Sequence, residues 1–243
     1  MHWCILFYQM NNLSVILCTY NEGSNIQQAL KKLINRNEVD EIIIIDDSST
    51  DDTVKIISSF NNNKIKCVVR KKAKGFASAF IYGLFISNGK YILRFDVDMH
   101  DDIDFFLNNF NKNQDFDCVI FSRYINGGGD LRNPVRSISS KLINILCSLI
   151  LSNKIKDYTS CIMVFKRSVL KENFPDNTGY GNFIIEFTYN LILYQKKYLE
   201  IPYIQKKITE LNSKTATNYL IFCKNGFYYL ITILKCFLIK LLT

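Results

Sequence analysis

Short apolar runs alternate with amphipathic stretches over the first half of the chain. Leu13 to Thr19 is an apolar run of strand length, and the next segment places Ile26, Leu30 and Leu33 at helical spacing. The same alternation then repeats. It predicts strands at 41–46, 64–70, 91–95 and 117–121 and helices at 51–60, 76–86 and 103–110. Strands and helices in this order are typical of an α/β fold with a mainly parallel central sheet of Rossmann-like type.

The pattern changes after Tyr124. The glycine run Gly127 to Gly129 predicts a loop, and Arg136 to Leu151 has apolar residues on overlapping helical faces. That helix either packs on the core or lies on a bilayer surface. Residues 219–243 are almost wholly apolar apart from three lysines and one asparagine, which predicts a C-terminal helical tail. We expect the tail to contact a membrane; spanning the bilayer, lying on it and packing on the domain are left open.

Composition indicates a protein with a folded core and restricts the kinds of partner it is expected to bind. With 48% hydrophobic and 21% charged residues, the chain can bury a core, and we expect a catalytic domain at 13–214 and a membrane-associating tail at 219–243. The net charge of +8 favours an anionic partner, but the lysines are scattered and no nucleic-acid-binding motif appears, so we expect no nucleic acid. The eight cysteines include no C-x-x-C pair, which indicates reduced thiols on the cytoplasmic side. Residues 1–10 lack the features of a signal peptide.

Candidate chemistry lies where the predicted strands end, since ligands of open α/β sheets bind beyond the carboxyl ends of the strands. Polar residues follow the first, second and fourth strands, at 19–22, 46–53 and 96–100. Asp96 and Asp98 are spaced to present two carboxylates to Mg²⁺ or Mn²⁺, and His100 continues the alternation. Such a pair alone is a weak signal, because acids after a strand also cap helices. No phosphate-binding glycine motif follows a strand, which counts against dinucleotide dehydrogenases and P-loop NTPases.

An ordered set of short motifs gives a more specific signal. They are TYNE at 19–22, DDxSxDxT at 46–53, KGFASAxxxG at 74–83, DxD at 96–98, SRYxxGGG at 122–129, Arg136, DxTS at 157–160 and SK at 213–214. In this order they resemble family 2 glycosyltransferases of the GT-A fold, and within them the dolichol-phosphate mannosyltransferase and polyprenyl-phosphate sugar transferase branch. Ser48 stands where that family usually has glycine.

The resemblance implies a role for each matched residue. Asp96, Asp98 and His100 would hold Mg²⁺ or Mn²⁺, and Asp98, Arg123 and Arg136 would be the catalytic residues, the two arginines beside the acceptor phosphate together with Lys214. The residues that would bind substrate, including the nucleoside, are Thr19, Tyr20, Glu22, Asp47, Lys74, Ser213 and Lys214.

The implied reaction is an inverting transfer of a sugar to a polyprenyl or dolichyl monophosphate. A lipid monophosphate is already anionic near neutral pH, so the attack needs no general base. GDP-mannose is the favoured donor and UDP-glucose an open one, and a small membrane subunit is left open as a partner. Two other functions stay open. One is transfer to a glycan hydroxyl with an acid such as Glu186 as base, and the other is a catalytically silent sugar-nucleotide binder.

Overall fold

The computed structural model describes residues 12–72, 74–176, 180–206 and 219–243, without the side chains of 219–222. The strands are β1 (Leu13–Thr19), β2 (Val39–Asp46), β3 (Ile65–Val69), β4 (Tyr91–Arg94), β5 (Cys118–Ser122), β6 (Gly129–Asp130), β7 (Met163–Lys166), β8 (Tyr198–Pro202) and β9 (Ile204–Gln205). The α-helices are α1 (Gly23–Leu33), α2 (Thr53–Ser59), α3 (Phe76–Ile86), α4 (Ile103–Lys112), α5 (Pro134–Ile150), α6 (Phe183–Leu193) and α7 (Tyr219–Leu242).

The central sheet is mainly parallel, as the sequence predicts. Its seven strands run in the order β3-β2-β1-β4-β7-β5-β8. Strands β1 to β4 pair in parallel, and so do β5 and β8, whereas β7 runs antiparallel to both of its neighbours. The carboxyl ends of β1, β2, β4 and β5 therefore meet at one edge of the sheet, and the loops that follow them build the site.

Two hydrophobic clusters cover the two faces of this sheet. The first cluster joins the inward residues of α1, α2 and α4 to the sheet, and the second joins those of α3, α5, α6 and α7 to the other face. Side chains alternate between the faces of a strand. Ile16 of β1 accordingly lies in the second cluster between Val15 and Leu17 of the first.

The glycine run forms an ordered turn that ends in a short strand. Gly127 has a φ of +86°, a conformation that favours glycine. A Cβ on Gly128 would lie 2.6 Å from the Ser122 carbonyl oxygen, so the backbone can pass there only as glycine. Gly129 and Asp130 then pair with β9. This turn carries the chain from β5 to α5.

The C-terminal helix forms as predicted and packs on the domain. Ile233 and Cys236 of α7 are buried in the second cluster. The Lys235 ammonium lies 2.8 Å from a Glu186 carboxylate oxygen of α6, and Asn182 Nδ2 donates to the Thr232 hydroxyl at 2.9 Å. Within the described part of the chain, Cys223–Leu242 is the one stretch whose length and composition would suit a membrane span.

Candidate active site

The ends of β1 and β2 are joined by short hydrogen bonds. The Thr19 hydroxyl donates to Asp46 Oδ2 at 2.8 Å, and the Ser49 amide donates to Asp46 Oδ1 at the same distance. Ser48 lies between them with a φ of +60°, in the left-handed region that explains the family's usual glycine. Of the two predicted ligands here, Thr19 is buried within this network, whereas Tyr20 exposes 43% of its surface.

Asp47 connects three elements at this edge of the sheet. Its Oδ1 accepts from Nε of Arg70 at 2.8 Å, and its Oδ2 accepts from the Gly75 amide at 2.8 Å. Arg70 follows β3, and Gly75, with a φ of +132°, precedes α3. Sequence reasoning missed Arg70, although it ends a strand whose neighbours end in polar residues. Lys74 is exposed just before this turn.

The two aspartates after β4 differ in environment. Asp96 is half exposed and pairs with the buried Arg94, whereas Asp98 Oδ1 is buried without a hydrogen-bond partner. Burial, together with the negative charges of Asp96 and Glu22, raises the pKa of Asp98 to about 7. Burial is the larger of these causes, and the two neighbouring negative charges add to it, so the charged form of Asp98 is disfavoured in the absence of a cation.

This arrangement fits a divalent cation. A buried carboxylate oxygen without a donor, beside other acids, is the kind of hard oxygen that Mg²⁺ and Mn²⁺ bind. Among the described residues, no three His, Cys, Asp or Glu side chains come together as a metal-binding group. A cation held by Asp96 and Asp98 would thus take its remaining ligands from water and a bound diphosphate.

His100 is not brought together with the two aspartates as a third ligand. The chain enters a 3₁₀ segment at Val97–Asp102, so the extended alternation on which that prediction depended ends at Asp96. With three residues per turn, side chains two apart no longer share a face. His100 Nδ1 lies instead 3.3 Å from Asp101 Oδ1.

An arginine-rich cavity lies beside Asp96. Its volume is about 180 Å³, and it is lined by four arginines, Arg94, Arg123, Arg132 and Arg136, together with Tyr180 of the loop before α6 and Tyr229 of α7. Among the other lining groups Asp96 is the one acid. The cavity is therefore suited to an anion.

Arg123 is the buried centre of a network beneath that cavity. Its Nε and Nη2 donate to the two Asp157 oxygens at 2.8 and 2.7 Å, and Nη2 also donates to the Thr159 hydroxyl at 2.7 Å. Nη1 lies 3.6 Å from Asp130 Oδ2 and donates to Gln205. The structure thus gives Arg123 a scaffold role, in which it ties β5 to the loop that carries the DxTS motif.

Arg132 and Arg136 lie nearer to the start of α5. Asp130 accepts from Nε of Arg132 at 2.8 Å and from its Nη2 at 2.6 Å, which fixes this guanidinium at the cavity wall. Burial and the neighbouring Arg132 lower the pKa of Arg136, so its charged form is disfavoured there and an anion would stabilise it. Sequence reasoning found Arg136 but missed Arg132.

Three other predicted residues need separate mention. Ser213 and Lys214 lie outside the described residues. Glu186, the alternative base, is held by Lys235 on the α7 side of α6 and is not among the residues that line the arginine-rich cavity. The geometry thus gives no support to a role for Glu186 as a base.

Comparison with known sequences identifies the family. The sequence model of Glycosyl transferase family 2 matches residues 14–174, more than half of the chain, and the chain belongs to that family. It is 29% identical over 171 residues to the poly-beta-1,6-N-acetyl-D-glucosamine synthase of Staphylococcus epidermidis, covering 68% of this chain and 42% of the relative. It is 37% identical over 90 residues to the Escherichia coli UDP-Glc:alpha-D-GlcNAc-diphosphoundecaprenol beta-1,3-glucosyltransferase WfaP, covering 37% of this chain and 36% of that enzyme. The chain thus spans about two fifths of the length of these relatives.

Comparison with solved structures confirms the GT-A fold. Glucosyl-3-phosphoglycerate synthase from Mycobacterium tuberculosis, in complex with Mn²⁺, UDP and glucosyl-3-phosphoglycerate, superposes with a TM-score of 0.67 at 15% identity, covering 93% of this chain and 79% of that one. The same enzyme in complex with Mg²⁺ and UDP gives a TM-score of 0.65 at 16% identity, with the same coverage.

Proposed function

We propose that this protein transfers a sugar from a nucleotide donor to a polyprenyl monophosphate at the cytoplasmic surface of a membrane. The observation that carries the proposal is the cavity lined by four arginines next to Asp96. A donor diphosphate needs charge neutralisation from a cation beside carboxylates, whereas an acceptor phosphate needs arginines. The carboxylates that suit a cation and the arginines that suit a phosphate lie at the same edge of the sheet.

The chain's residues would divide the work between donor and acceptor. Asp96 and Asp98 would hold Mg²⁺ or Mn²⁺, which supplies charge neutralisation for the departing diphosphate. Arg136 and Arg132 would orient the lipid phosphate. An oxygen of that phosphate forms the new bond to the anomeric carbon as the bond from this carbon to the diphosphate breaks, and the nucleoside diphosphate leaves with inversion. An acceptor that is already anionic loses no proton, so this step needs no general base, and Asp96, the one carboxylate among the described residues that line the cavity, is left to hold the cation.

Two lines of evidence bear on which nucleotide sugar is the donor. The motif resemblance favours GDP-mannose, while the E. coli relative and the mycobacterial enzyme are named for, or solved with, uridine nucleotides. A second acceptor class deserves a test for the same reason, since the E. coli relative is named for an acceptor that is already a diphosphate-linked sugar. In that case a hydroxyl would attack and would need a base.

A matrix of donors and acceptors tests the proposal. The full chain is incubated with Mn²⁺ or Mg²⁺ and with GDP-mannose, UDP-glucose or UDP-N-acetylglucosamine, each with a short prenyl monophosphate or a prenyl diphosphate-linked sugar. We expect a sugar-phosphate-prenyl product with one donor and none without the cation. A product only from the diphosphate-linked sugar would favour the hydroxyl acceptor, and donor binding without any turnover would favour the silent binder. An added membrane subunit is needed only if the pure chain binds both substrates without product.

A further inference from the structure

Helix α5 presents an apolar stripe away from the protein. Ile138, Leu142, Ile145 and Leu149 recur at intervals of four, three and four residues, so they lie along one side of the helix. Each is 48–78% exposed. On the opposite side Cys147 is fully buried in the second cluster. The exposed stripe is therefore not the side that α5 uses to pack on the domain.

Helix α7 has a matching stripe. Phe227, Leu234, Leu238 and Leu241 are 58–66% exposed, while Cys236 is buried in the same cluster that holds Cys147. The two helices are in contact, and the Lys240 ammonium of α7 donates to the carbonyl oxygen of Leu151 at 2.7 Å, just after α5 ends. Both stripes point outward from one cluster, so together they form one surface, which we call the α5–α7 face.

Charge indicates what covers this face. Neither α5 nor α7 has an acidic residue, and of their five basic residues Arg136 lines the cavity, Lys235 pairs with Glu186 and Lys240 donates to the end of α5, which leaves two lysines for the face. Lys141 and Lys224 are exposed beside the stripes. A second copy of the chain docked by a two-fold axis would bring basic helices against each other, which costs free energy. An anionic lipid surface complements both the apolar stripes and the lysines.

The contacts of α7 argue against a transmembrane position. A helix that crossed the bilayer would have to leave the domain, and it would lose the Lys235 contact with Glu186, the Thr232 contact with Asn182 and the burial of Ile233. A lysine near the middle of a span also costs about 2.5 to 3.5 kcal/mol. Kept on the domain, α7 has one side buried and the other available to lipid.

We infer that the α5–α7 face is the membrane-docking surface of this protein and that α7 lies in the plane of an anionic bilayer rather than across it. The same two helices also reach the cavity, but from their inward sides, since Arg136 of α5 and Tyr229 of α7 line it and lie roughly opposite the exposed stripes. If the proposed function holds, a lipid phosphate would enter the cavity while its chain stays in the membrane. The docking itself does not rest on that function.

Vesicle binding tests the inference. The full chain is sedimented with phosphatidylcholine vesicles that do or do not contain about 30 mol% phosphatidylglycerol. We expect binding that needs the anionic lipid and weakens at least about tenfold when salt is raised. Two double variants, Leu142→Glu with Ile145→Glu on α5 and Leu234→Glu with Leu238→Glu on α7, should each lose roughly tenfold or more in binding. Val69→Glu with Phe85→Glu is the matched double control, since Val69 is 43% exposed on β3 and Phe85 71% exposed on α3, outside both helices.

Each alternative has its own signature. Binding that ignores lipid charge and resists alkaline carbonate would mean that α7 spans the bilayer, and it would overturn the inference. A dimer in light scattering that both double variants dissociate, without vesicle binding, would assign the face to a second copy. Unchanged vesicle binding by both double variants, with cooperative unfolding retained, would also overturn it. Transfer to a short, water-soluble prenyl phosphate without vesicles is measured separately, so failure of the proposed function cannot be mistaken for failure of docking.

Discussion

The candidate site has a part proposed to bind the donor and a part proposed to bind the acceptor, which we call the donor half and the acceptor half. The two are built in different ways. On the donor half, carboxylates follow β1, β2 and β4 directly, and Asp98 keeps a buried oxygen without a hydrogen-bond partner. On the acceptor half, Arg94 comes from β4, and the other arginines come from the segment after β5 and from α5. Acids hold three of these arginines in place: Asp96 pairs with Arg94, Asp157 with Arg123 and Asp130 with Arg132. The donor half has charge that a ligand must neutralise, whereas much of the acceptor half's charge is already paired.

That difference indicates which charged side chains a bound cation or phosphate should stabilise most. An unpaired buried carboxylate gains from a cation, and a guanidinium already bound to a buried aspartate gains less from a phosphate. Arg136 resembles Asp98 in one respect, since burial and a neighbouring like charge, here that of Arg132, shift its pKa against the charged form. We therefore expect substitutions of Asp98 and Arg136 to change substrate binding and transfer, and substitutions of Arg123 to change the stability of the fold.

The largest effect is expected for Asp98→Ala. Losing this carboxylate removes a cation ligand beside the donor diphosphate, and transfer should fall by roughly 10⁴-fold, about 5.5 kcal/mol. Calorimetry with donor should show that the dependence of affinity on Mn²⁺ is lost. Asp101→Ala is the matched control, because Asp101 is a neighbouring acid whose side chain is 69% exposed and pairs with Lys32. Metal-dependent donor affinity equal to that of the unmodified chain would remove Asp98 from the metal site.

Arg123→Ala should act on stability. The substitution leaves the Asp157 carboxylate, which is fully buried, without its partner, and breaking such a pair costs about 3 to 5 kcal/mol. Urea unfolding measures the loss. Arg36→Ala is the comparison, since its pair with Asp104 is exposed and should contribute at most about 1 kcal/mol. A stable Arg123→Ala protein that specifically loses acceptor use would restore Arg123 to the phosphate site.

The donor half was the more predictable from sequence. Strand ends of a parallel sheet must meet, so Thr19, Asp47 and Asp98 could be grouped from the positions of apolar runs alone. The limit was local geometry: a 3₁₀ turn after Asp96 separates His100 from the pair, and nothing in the spacing distinguishes that turn from an extended segment.

The acceptor half depends on long-range contacts that periodicity does not encode. Arg123 meets Asp157 across 34 residues of chain, and Tyr229 reaches the same cavity from the C-terminal helix. The sequence predicted α7 as a helix but left its packing open. Its inward residues, such as Ile233 and Cys236, look no different in sequence from the exposed leucines beside them.

Arg136→Ala should weaken acceptor use and spare donor binding. Loss of one charge-assisted contact to a phosphate should lower kcat/KM for the prenyl phosphate by roughly 100-fold, about 2.7 kcal/mol. Donor affinity should change by less than about twofold, since the carboxylates are untouched. Steady-state kinetics with the acceptor varied and calorimetry with the donor alone separate the two. Arg136→Lys should recover part of the activity, because it restores the charge but not the paired donors. If Arg136→Ala lowered donor affinity as much as it lowered kcat/KM for the acceptor, the assignment of donor and acceptor to separate halves of the site would be wrong.

The smallest effect concerns Asp98 in the metal-free protein. Its pKa of about 7 lies well above that of an ordinary aspartate, which means that the folded state holds a proton which the unfolded chain releases near pH 4. The folded state therefore binds more protons between about pH 4 and pH 7, so the free energy of unfolding should fall as pH rises through this window and level off above it. Asp98→Asn cannot titrate and should lose this slope, so that it is more stable than the unmodified chain at pH 8 and differs little from it at pH 4. Urea unfolding at both pH values with chelator present measures the difference. Parallel pH profiles for the two proteins would mean that Asp98 is not crowded by Asp96 and Glu22, and the donor half would then lack the unneutralised charge that distinguishes it from the acceptor half.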